Sequence, residues 1–309
     1  MVIINEKMEN IKLEDETCVA LGTFDGVHLG HQALIKESVR SARKKGIKSA
    51  VVTFDVLPMS VIAPDTHPVI IMDNNIKASV IEGMGVDYLI YLKFTKDFAM
   101  TDGEIFLSFL TEKLNARMLI CGYNYSFGKY GSGNGIMLEN NKNKFGYELK
   151  IFEAVRCEGH EVSSTVIREK LMNGQVEEAS KLLGYRYFYS GIVEHGEGKG
   201  SSLGFPTANL YIGGNMAIRD GIYITYTYIN NTRYNSICNV GYAPTFKGRR
   251  RCIEIFLLDF NGKLYGKSIK TEFLKFVRPE ERFNTEDELK KQVFSDMKTA
   301  EKYFDVNKE

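Results

Sequence analysis

The chain has 309 residues and a formal net charge of +1, and 44% of its residues are hydrophobic. Such a length favours more than one domain, and the near-neutral charge gives no reason to expect nucleic acid or an anionic membrane as a partner. No apolar run approaches the ~20 residues that cross a bilayer, and the first residues lack the apolar core of a secretory signal. The five widely spaced cysteines include no CxxC pair, which argues against a disulfide framework and structural zinc and favours a cytoplasmic protein.

The first two-thirds of the chain alternates short apolar runs with helical patterns, which predicts a parallel sheet covered by helices. The predicted strands are residues 18–21, 49–54, 88–92 and 118–121, and the predicted helices are residues 32–45, 76–84 and 103–114. Ligands on such a sheet bind beyond the carboxyl ends of its strands. The residues that follow each strand are therefore the candidates for a binding site.

Near Tyr185 the pattern changes to short strands and tight turns, which predicts an antiparallel barrel. Residues 221–229 and 233–240 flank an Asn-Asn-Thr turn, and residues 251–260 and 263–276 flank Asn261-Gly262, the strongest short hairpin signal. Residues 285–304 form a final amphipathic helix. The predicted domains are therefore residues 1–184, of α/β class, and residues 185–309, a small β-barrel with a C-terminal helix.

Arg249-Arg250-Arg251 is a short basic run in the predicted barrel. No aromatic or basic stripe accompanies it, so we interpret it as an exposed turn rather than as a nucleic-acid contact.

Residues 22–31, GTFDGVHLGH, lead from a buried strand into a helix. Amides at a helix N-terminus favour anions, Gly30 lets a phosphate approach the backbone, and the imidazoles of His28 and His31 can donate hydrogen bonds to phosphate oxygens. The alternative is an ordinary pair of histidines at a helix start. The motif resembles the signature of the HxGH nucleotidyltransferases. The longer FDGVHLGHQ resembles the FAD synthetase branch of the bacterial bifunctional riboflavin kinases/FMN adenylyltransferases.

This resemblance implies a Rossmann-like nucleotidyltransferase domain in which His28 and His31 are catalytic. They would steady the ATP phosphates while the FMN phosphate attacks the α-phosphorus, a reaction that needs alignment and charge stabilisation but no protein nucleophile. It also implies that Gly22, Phe24 and Gly30 take part in binding ATP.

Residues 162–168, VSSTVIR, place hydroxyls before another helical pattern. Ser164 or Thr165 is equally suited to be a plain helix cap. The segment resembles the ISSTxIR motif of the same superfamily, and the resemblance implies that Ser164, Thr165 and Arg168 hold the triphosphate, with Arg168 neutralising the departing pyrophosphate.

A glycine-rich segment, GYNYSFGKYGSGN over residues 122–134, follows a predicted strand and on its own indicates only a turn. It resembles a family stretch that lines the nucleotide and flavin site. The resemblance implies that Asn124 contacts ATP and that Phe127 contacts the flavin. Phe24 and Phe54, which follow the first and second predicted strands, are further candidates for apolar contact with the flavin ring. After Phe54 the chain departs from the common TFDPHP pattern and has Leu57 where that pattern has histidine.

Residues 196–209, GEGKGSSLGFPTAN, combine a glycine-rich loop with a strand start. A barrel loop with an edge strand is the plain interpretation. LGFPTANL resembles the riboflavin kinases, and this resemblance implies that Thr207 and Asn209 coordinate Mg²⁺, whose preferred ligands are hard oxygens. It also implies that the kinase ATP site consists of Gly198, Lys199, Gly204, Thr207 and Asn209.

Glu254 is a carboxylate in the apolar run CIEIFLLDF. A charge among apolar neighbours needs a partner or a task, although a solvent-facing glutamate is an alternative. The resemblance to the kinase strand motif implies that Glu254 is the base that accepts the proton of the ribityl hydroxyl. Ala243 and Phe256 replace a frequent arginine and a frequent histidine. The segment that begins at Arg278 resembles the part that closes over the flavin in this family, with a solvated linker as the alternative.

The sequence therefore predicts an enzyme that converts riboflavin and ATP to FMN, and then FMN and ATP to FAD and pyrophosphate, with Mg²⁺ as cofactor. Its expected partners are riboflavin, FMN and ATP, with no nucleic acid and no membrane, and its oligomeric state is open. One alternative is an FMN adenylyltransferase whose kinase-like module only binds or scaffolds. Another is a flavin-sensing regulator, which would show decayed motifs.

Overall fold

Residues 1–196, 205–245 and 248–307 are described by the structure, a computed structural model. The chain divides into two compact units, Met1–Ser164 and Thr165–Glu309.

The first unit is built on a six-stranded parallel sheet. Its strands are β1 Val2–Glu6, β2 Thr17–Leu21, β3 Lys48–Phe54, β4 Tyr88–Leu92, β5 Ala116–Gly122 and β6 Glu148–Phe152. They lie in the order β1-β4-β3-β2-β5-β6. The chain runs outward from β2 through β3 to β4 on one side and from β5 to β6 on the other. The switch point of the sheet, where such folds bind ligands, therefore lies between β2 and β5.

The helices of this unit include the three that the sequence predicts, near residues 32–45, 76–84 and 103–114, and three that it does not predict. They are α1 Leu29–Lys45, α2 Pro58–Ile62, α3 Asn74–Glu82, α4 Lys96–Ala99, α5 Gly103–Ser108 and α6 Gly135–Phe145. Helix α1 ends at Gly46, whose φ of 70° is left-handed and accessible to glycine at no steric cost. The predicted helix over 103–114 is α5 followed by a wider π-type turn at Phe109–Lys113. Two short hairpin strands, β7 Arg156–Cys157 and β8 His160–Glu161, complete the unit.

Strand β1 was not predicted from the sequence, because it lies at an edge of the sheet. Val2 and Ile3 are both exposed there, so the alternation of buried and exposed residues that marks a half-buried strand is absent.

The second unit is a nearly closed antiparallel barrel. After α7 Ser164–Met172, which begins at the division, and α8 Val176–Leu183, its strands are β9 Phe188–Ile192, β10 Ala208–Tyr211, β11 Gly221–Ile229, β12 Thr232–Thr245, β13 Gly248–Leu257 and β14 Ser268–Arg278. Their order is β10-β13-β12-β11-β14-β9. The two ends of the sheet approach each other where the Glu194 amide donates to the Asn209 carbonyl at 3.0 Å. The predicted barrel is confirmed.

The final helix, α9 Glu286–Val306, lies against the barrel through its apolar side. Ala300 and Phe304 are buried with Ile224 and Leu274, and the Phe304 ring stacks on Tyr226 at a centroid distance of 5.5 Å. The predicted amphipathic helix is therefore confirmed.

The two predicted hairpins have different outcomes. Asn230 and Asn231, with φ of 48° and 66°, join β11 to β12 in a two-residue turn, so the first hairpin is confirmed. The Asn261-Gly262 hairpin is wrong, because β13 pairs with β10 and β12 while β14 pairs with β11 and β9. In that connection the residues with a left-handed backbone conformation are Asp259 and Gly266. The connection is therefore a longer loop, and the two strands that it joins do not pair with each other.

The prediction that Arg249 to Arg251 form an exposed turn is also wrong. All three lie on strand β13, and Arg251 is buried. Its guanidinium donates to the Asp220 carboxylate at 2.9 Å and to the Met216 carbonyl at 2.7 Å. Arg251 therefore fixes the loop before β11.

No helix in the described part of the chain is both long enough and apolar enough to span a membrane.

Candidate active sites

The loop between β2 and α1 leaves the centre of the sheet in an unusual conformation. Phe24 and Val27 have φ of 48° and 36°, a region that such side chains rarely adopt, and Gly26 has φ of 82°. Phe24 and Val27 are fully buried, which fixes the loop against the core. Backbone strain of this kind persists only where surrounding contacts determine it, and it concentrates at functional sites.

His28 and His31 are brought together at the start of α1. Their rings stack with centroids 3.6 Å apart, and the Nδ1 atom of His28, the N-cap residue, accepts a hydrogen bond from the His31 amide at 3.3 Å. Phe24 meets the His31 ring edge-on at 5.2 Å. A Cβ on Gly30 would come within 3.1 Å of the His28 ring, so glycine permits this packing. Both imidazoles lie beside helix-start amides, where phosphates bind.

Ser164 reaches the same loop although it is far along the chain. Its Oγ donates to the Asp25 carbonyl at 2.8 Å, and the Asp25 carboxylate accepts from the Ile71 amide at 3.0 Å. Within the first unit, the structure thus brings together the histidine motif and the first residue of the predicted triphosphate cluster. Thr165 and Arg168 lie on α7 in the second unit.

The glycine-rich segment after β5 is explained in large part by packing. Phe127 is buried, and a Cβ on Gly133 would come within 2.6 Å of its ring. Gly128, with φ of 72°, lies against the backbone of Gly103. Asn134 caps α6 by accepting hydrogen bonds from two amides. Asn124, in contrast, is exposed at the carboxyl end of β5, beside the switch point.

Phe54 lies at the carboxyl end of β3 and is partly exposed. Its ring meets Phe94 and Phe98 edge-on at 5.0 and 5.7 Å. Leu57, which stands where the family pattern has histidine, precedes α2 without a side-chain capping bond. This end of the sheet therefore offers an aromatic surface.

The second unit contains a cavity of about 400 Å³. Four predicted site residues line it together, namely Thr207, Asn209, Glu254 and Arg278. Ala243 and Phe256, the two departures from the family pattern, line it as well. Gly198, Lys199 and Gly204, which were also predicted for the kinase ATP site, lie outside the described residues.

Three polar side chains form a row across neighbouring strands of the barrel. Glu254 on β13 pairs with Asn209 on β10 and with Asn239 on β12. Residues directly opposite each other on antiparallel strands have their Cβ atoms about 5 Å apart on one face of the sheet. Sequence reasoning missed Asn239, although an amide in the apolar run 237–240 was a usable signal.

Arg278 connects the barrel to the final helix. Its guanidinium donates to the carboxylate of Asp296 on α9 at 2.7 and 3.0 Å, and Gln292 donates to the same carboxylate at 3.0 Å. Asp296 is buried, so this is a shielded ion pair at the wall of the cavity.

Two family models match the chain in the same order as the two sites. The FAD synthetase model matches residues 10–166, and the riboflavin kinase model matches residues 183–304. The chain is 37% identical to the bifunctional riboflavin kinase/FMN adenylyltransferase of Bacillus subtilis, over 94% of this chain and 93% of that one. It is 32% identical to the Escherichia coli K12 enzyme of the same name, over 95% of each chain.

The chain belongs to the bifunctional riboflavin kinase/FMN adenylyltransferase family. It is thus an enzyme of flavin-nucleotide biosynthesis. Its first matched segment is that of the FAD synthetases, and its second is that of the riboflavin kinases.

A crystal structure described as a macrolide-efflux protein from Streptococcus pneumoniae shares this fold. Its TM-score is 0.83 at 30% identity, over 97% of this chain and 98% of that one. That description names transport, whereas both models matched in this chain are those of flavin-nucleotide enzymes.

Proposed function

We propose that the second unit transfers a phosphoryl group from ATP to riboflavin, and that the first unit transfers the adenylyl group of a second ATP to the resulting FMN. The observation that carries this proposal is the cavity of the second unit. It is lined by the predicted Thr207, Asn209 and Glu254 together, despite the departures at Ala243 and Phe256. A kinase needs a proton acceptor and phosphate-handling oxygens in one place, and this cavity supplies both.

In the kinase half, Glu254 accepts the proton of the ribityl hydroxyl as that oxygen attacks the γ-phosphorus of ATP. The side-chain oxygens of Thr207 and Asn209 fit Mg²⁺, because they are neutral hard oxygens of residues that line the cavity. Bound there with the ATP phosphates, Mg²⁺ would neutralise charge on the transferred group. The weak Cys252 thiol donor, 3.7 Å from the Asn209 Oδ1, leaves that oxygen acceptor capacity.

In the adenylyltransferase half, His28 and His31 donate hydrogen bonds to the ATP phosphates. The stacked rings and the adjacent α1 amides support this role. Gly22, Gly30 and the exposed Asn124 contribute to the nucleotide site. The buried Phe24 acts through the His31 ring that it touches.

Ser164, Thr165 and Arg168 are proposed to hold the triphosphate. The hydrogen bond from Ser164 to the Asp25 carbonyl supports the role of Ser164, because it joins this residue to the loop that presents the histidines.

Phe54, which is partly exposed, is proposed as the flavin contact, and the buried Phe127 supports the loop after β5. In the kinase half, Arg278 orients the flavin from the cavity wall, where Asp296 fixes its guanidinium. Gly198, Lys199 and Gly204 complete the kinase ATP site in this proposal.

The proposed domains are residues 1–184 and 185–309. The second family match begins at residue 183, in support of this boundary. The two compact units of the structure divide earlier, after Ser164. Residues 165–184 therefore belong to the second compact unit, where α8 contacts β14.

We propose the cytoplasm as the location, with small-molecule partners only. No disulfide joins any of the five cysteines, all of which lie in the described part of the chain, and burial raises the pKa of the Cys18 thiol to about 11 and of Cys121 and Cys252 to about 12. Such protonated, buried thiols are inert packing groups.

The variant Glu254→Gln tests the proposed kinase role. It keeps the size and hydrogen bonding of the side chain but removes the basic oxygen, so we expect FMN formation from riboflavin to fall roughly a hundredfold or more. FAD formation from supplied FMN, measured in the same preparation, should match that of the unmodified chain. If this variant forms FMN from riboflavin at the rate of the unmodified chain, the assignment of Glu254 is contradicted.

A further inference from the structure

Lys77 is a buried lysine next to the loop that presents the two histidines. It lies on α3, the residue is 6% exposed, and its Nζ donates a hydrogen bond to the Thr23 carbonyl at 3.2 Å. The Nζ atom also lies 5.7 Å from the centre of the Tyr91 ring. Lysine is almost never buried to this degree unless it is paired, so its presence requires an explanation.

The need of the Thr23 carbonyl for a hydrogen-bond donor does not explain why this lysine is buried. The same oxygen already accepts a hydrogen bond from the Thr53 hydroxyl of β3 at 2.8 Å. Without Lys77 the carbonyl would still have a donor.

The position of Lys77 matters because of the loop to which it is bonded. Thr23 immediately precedes Phe24, the first of the left-handed residues that turn the chain towards His28. The Asp25 carboxylate accepts a hydrogen bond from the Ile71 amide, and the Asp25 backbone carbonyl accepts one from the Ser164 hydroxyl. Lys77 donates a hydrogen bond from a charged ammonium to this strained turn, whereas the hydrogen bond from Thr53 comes from a neutral hydroxyl.

The charge of Lys77 has an energetic cost in the folded protein. Burial lowers the pKa of the Lys77 ammonium from 10.5 to about 8, an effect that the negative charge of Asp25 partly offsets. Below pH 8 the lysine is charged in the folded and the unfolded chain, so at pH 7 the folded protein bears the full cost of burying the charge. Groups that lower stability in this way are typical of functional sites.

We propose that Lys77 is a positioning residue for adenylyl transfer, which holds the loop after β2 in the conformation that stacks His28 and His31. It acts through the Thr23 carbonyl and does not contact the substrate. This inference rests on the proposed phosphate role of the histidines.

The test is Lys77→Met, which keeps an unbranched apolar side chain as far as Cε and removes the ammonium. We expect kcat for FAD formation from FMN to fall at least tenfold at pH 7, with KM for ATP and for FMN within about twofold, because misplaced catalytic groups slow the reaction step. The unfolding temperature, measured by calorimetry, should be equal to or above that of the unmodified chain. FMN formation from riboflavin should be unchanged.

Lys44→Met, which removes an exposed lysine from α1, is the matched control and should change none of these quantities. An unchanged kcat in Lys77→Met would overturn the proposal, as would a raised KM with normal kcat, which would show direct substrate binding. A lowered unfolding temperature or an insoluble product would also overturn it, because Lys77 would then be an ordinary structural residue. His31→Ala is assayed alongside, since full FAD synthesis in that variant refutes the histidine role itself, whereas a normal rate in Lys77→Met alone refutes only the present inference.

Discussion

In the proposed nucleotide site, His28 and His31 bind phosphate without the help of a protein nucleophile. Their imidazoles stack at 3.6 Å, and His28 caps helix α1 by accepting a hydrogen bond from the His31 amide. The buried ring of Phe24 supports His31 edge-on. Because adenylyl transfer needs alignment and charge stabilisation, this arrangement suits the role that we propose for the two histidines.

The histidine assignment predicts a selective loss of one activity. We expect His28→Ala and His31→Ala each to lower FAD formation from FMN on the order of a hundredfold, the usual effect of removing a donor to the transition state. FMN formation from riboflavin should persist, because it takes place in the second unit. Steady-state assays of both reactions on the same preparation check this, and full FAD synthesis in either variant would contradict the assignment.

The sequence predicted site residues where their motif is continuous and missed those that act through distant partners. The pair His28 and His31 could be predicted because both belong to one short motif at a helix start. Asn239 stands out in the sequence only as an amide in an apolar run, and its role depends on Glu254 across a strand pair. The role of Lys77 depends on the Thr23 carbonyl, which is far from it along the chain. Sequence spacing carries no information on such long-range contacts.

At the scale of helices and strands, the two predicted hairpins also differ in whether a local sequence signal is sufficient to predict the structure. Asn230 and Asn231 adopt left-handed conformations that join adjacent strands, so a local signal was sufficient. Asn261-Gly262 carries an equally strong local signal, yet β14 pairs with β11 and β9. The choice of strand partner depends on the packing of the whole barrel, which a dipeptide does not determine.

The ion pair between Arg278 and Asp296 joins β14 to α9 and predicts an effect on stability. Asp296→Asn removes the charge that faces the guanidinium and leaves a poorly compensated cation at the cavity wall. We expect the free energy of unfolding of the second unit to fall by about 2 kcal/mol, below the range for fully buried pairs because Arg278 is partly exposed. Because both residues line the cavity, KM for riboflavin should rise.

Calorimetry and riboflavin kinase assays measure these two effects. Glu301→Gln on the same helix is the matched control, since Glu301 is exposed, and it should change neither quantity. Unchanged stability in Asp296→Asn would show that α9 is held by its apolar contacts, such as Phe304 on Tyr226, and not by the ion pair.

For the whole molecule, the central claim is that one chain carries out two consecutive reactions. FMN is the product of the kinase half and the substrate of the adenylyltransferase half. The kinase half is the more demanding part of the claim, because Ala243 and Phe256 depart from the family pattern at the wall of its cavity.

The most direct test is a time course of the purified, unmodified chain with riboflavin, ATP and Mg²⁺, in which the flavins are separated by chromatography. The account predicts that FMN appears first and that FAD then accumulates as FMN is consumed, whereas a chelator of Mg²⁺ prevents FMN formation. If the chain makes FAD from supplied FMN but never makes FMN from riboflavin, the claim of two activities is contradicted, and the chain is an FMN adenylyltransferase with an inactive kinase-like unit.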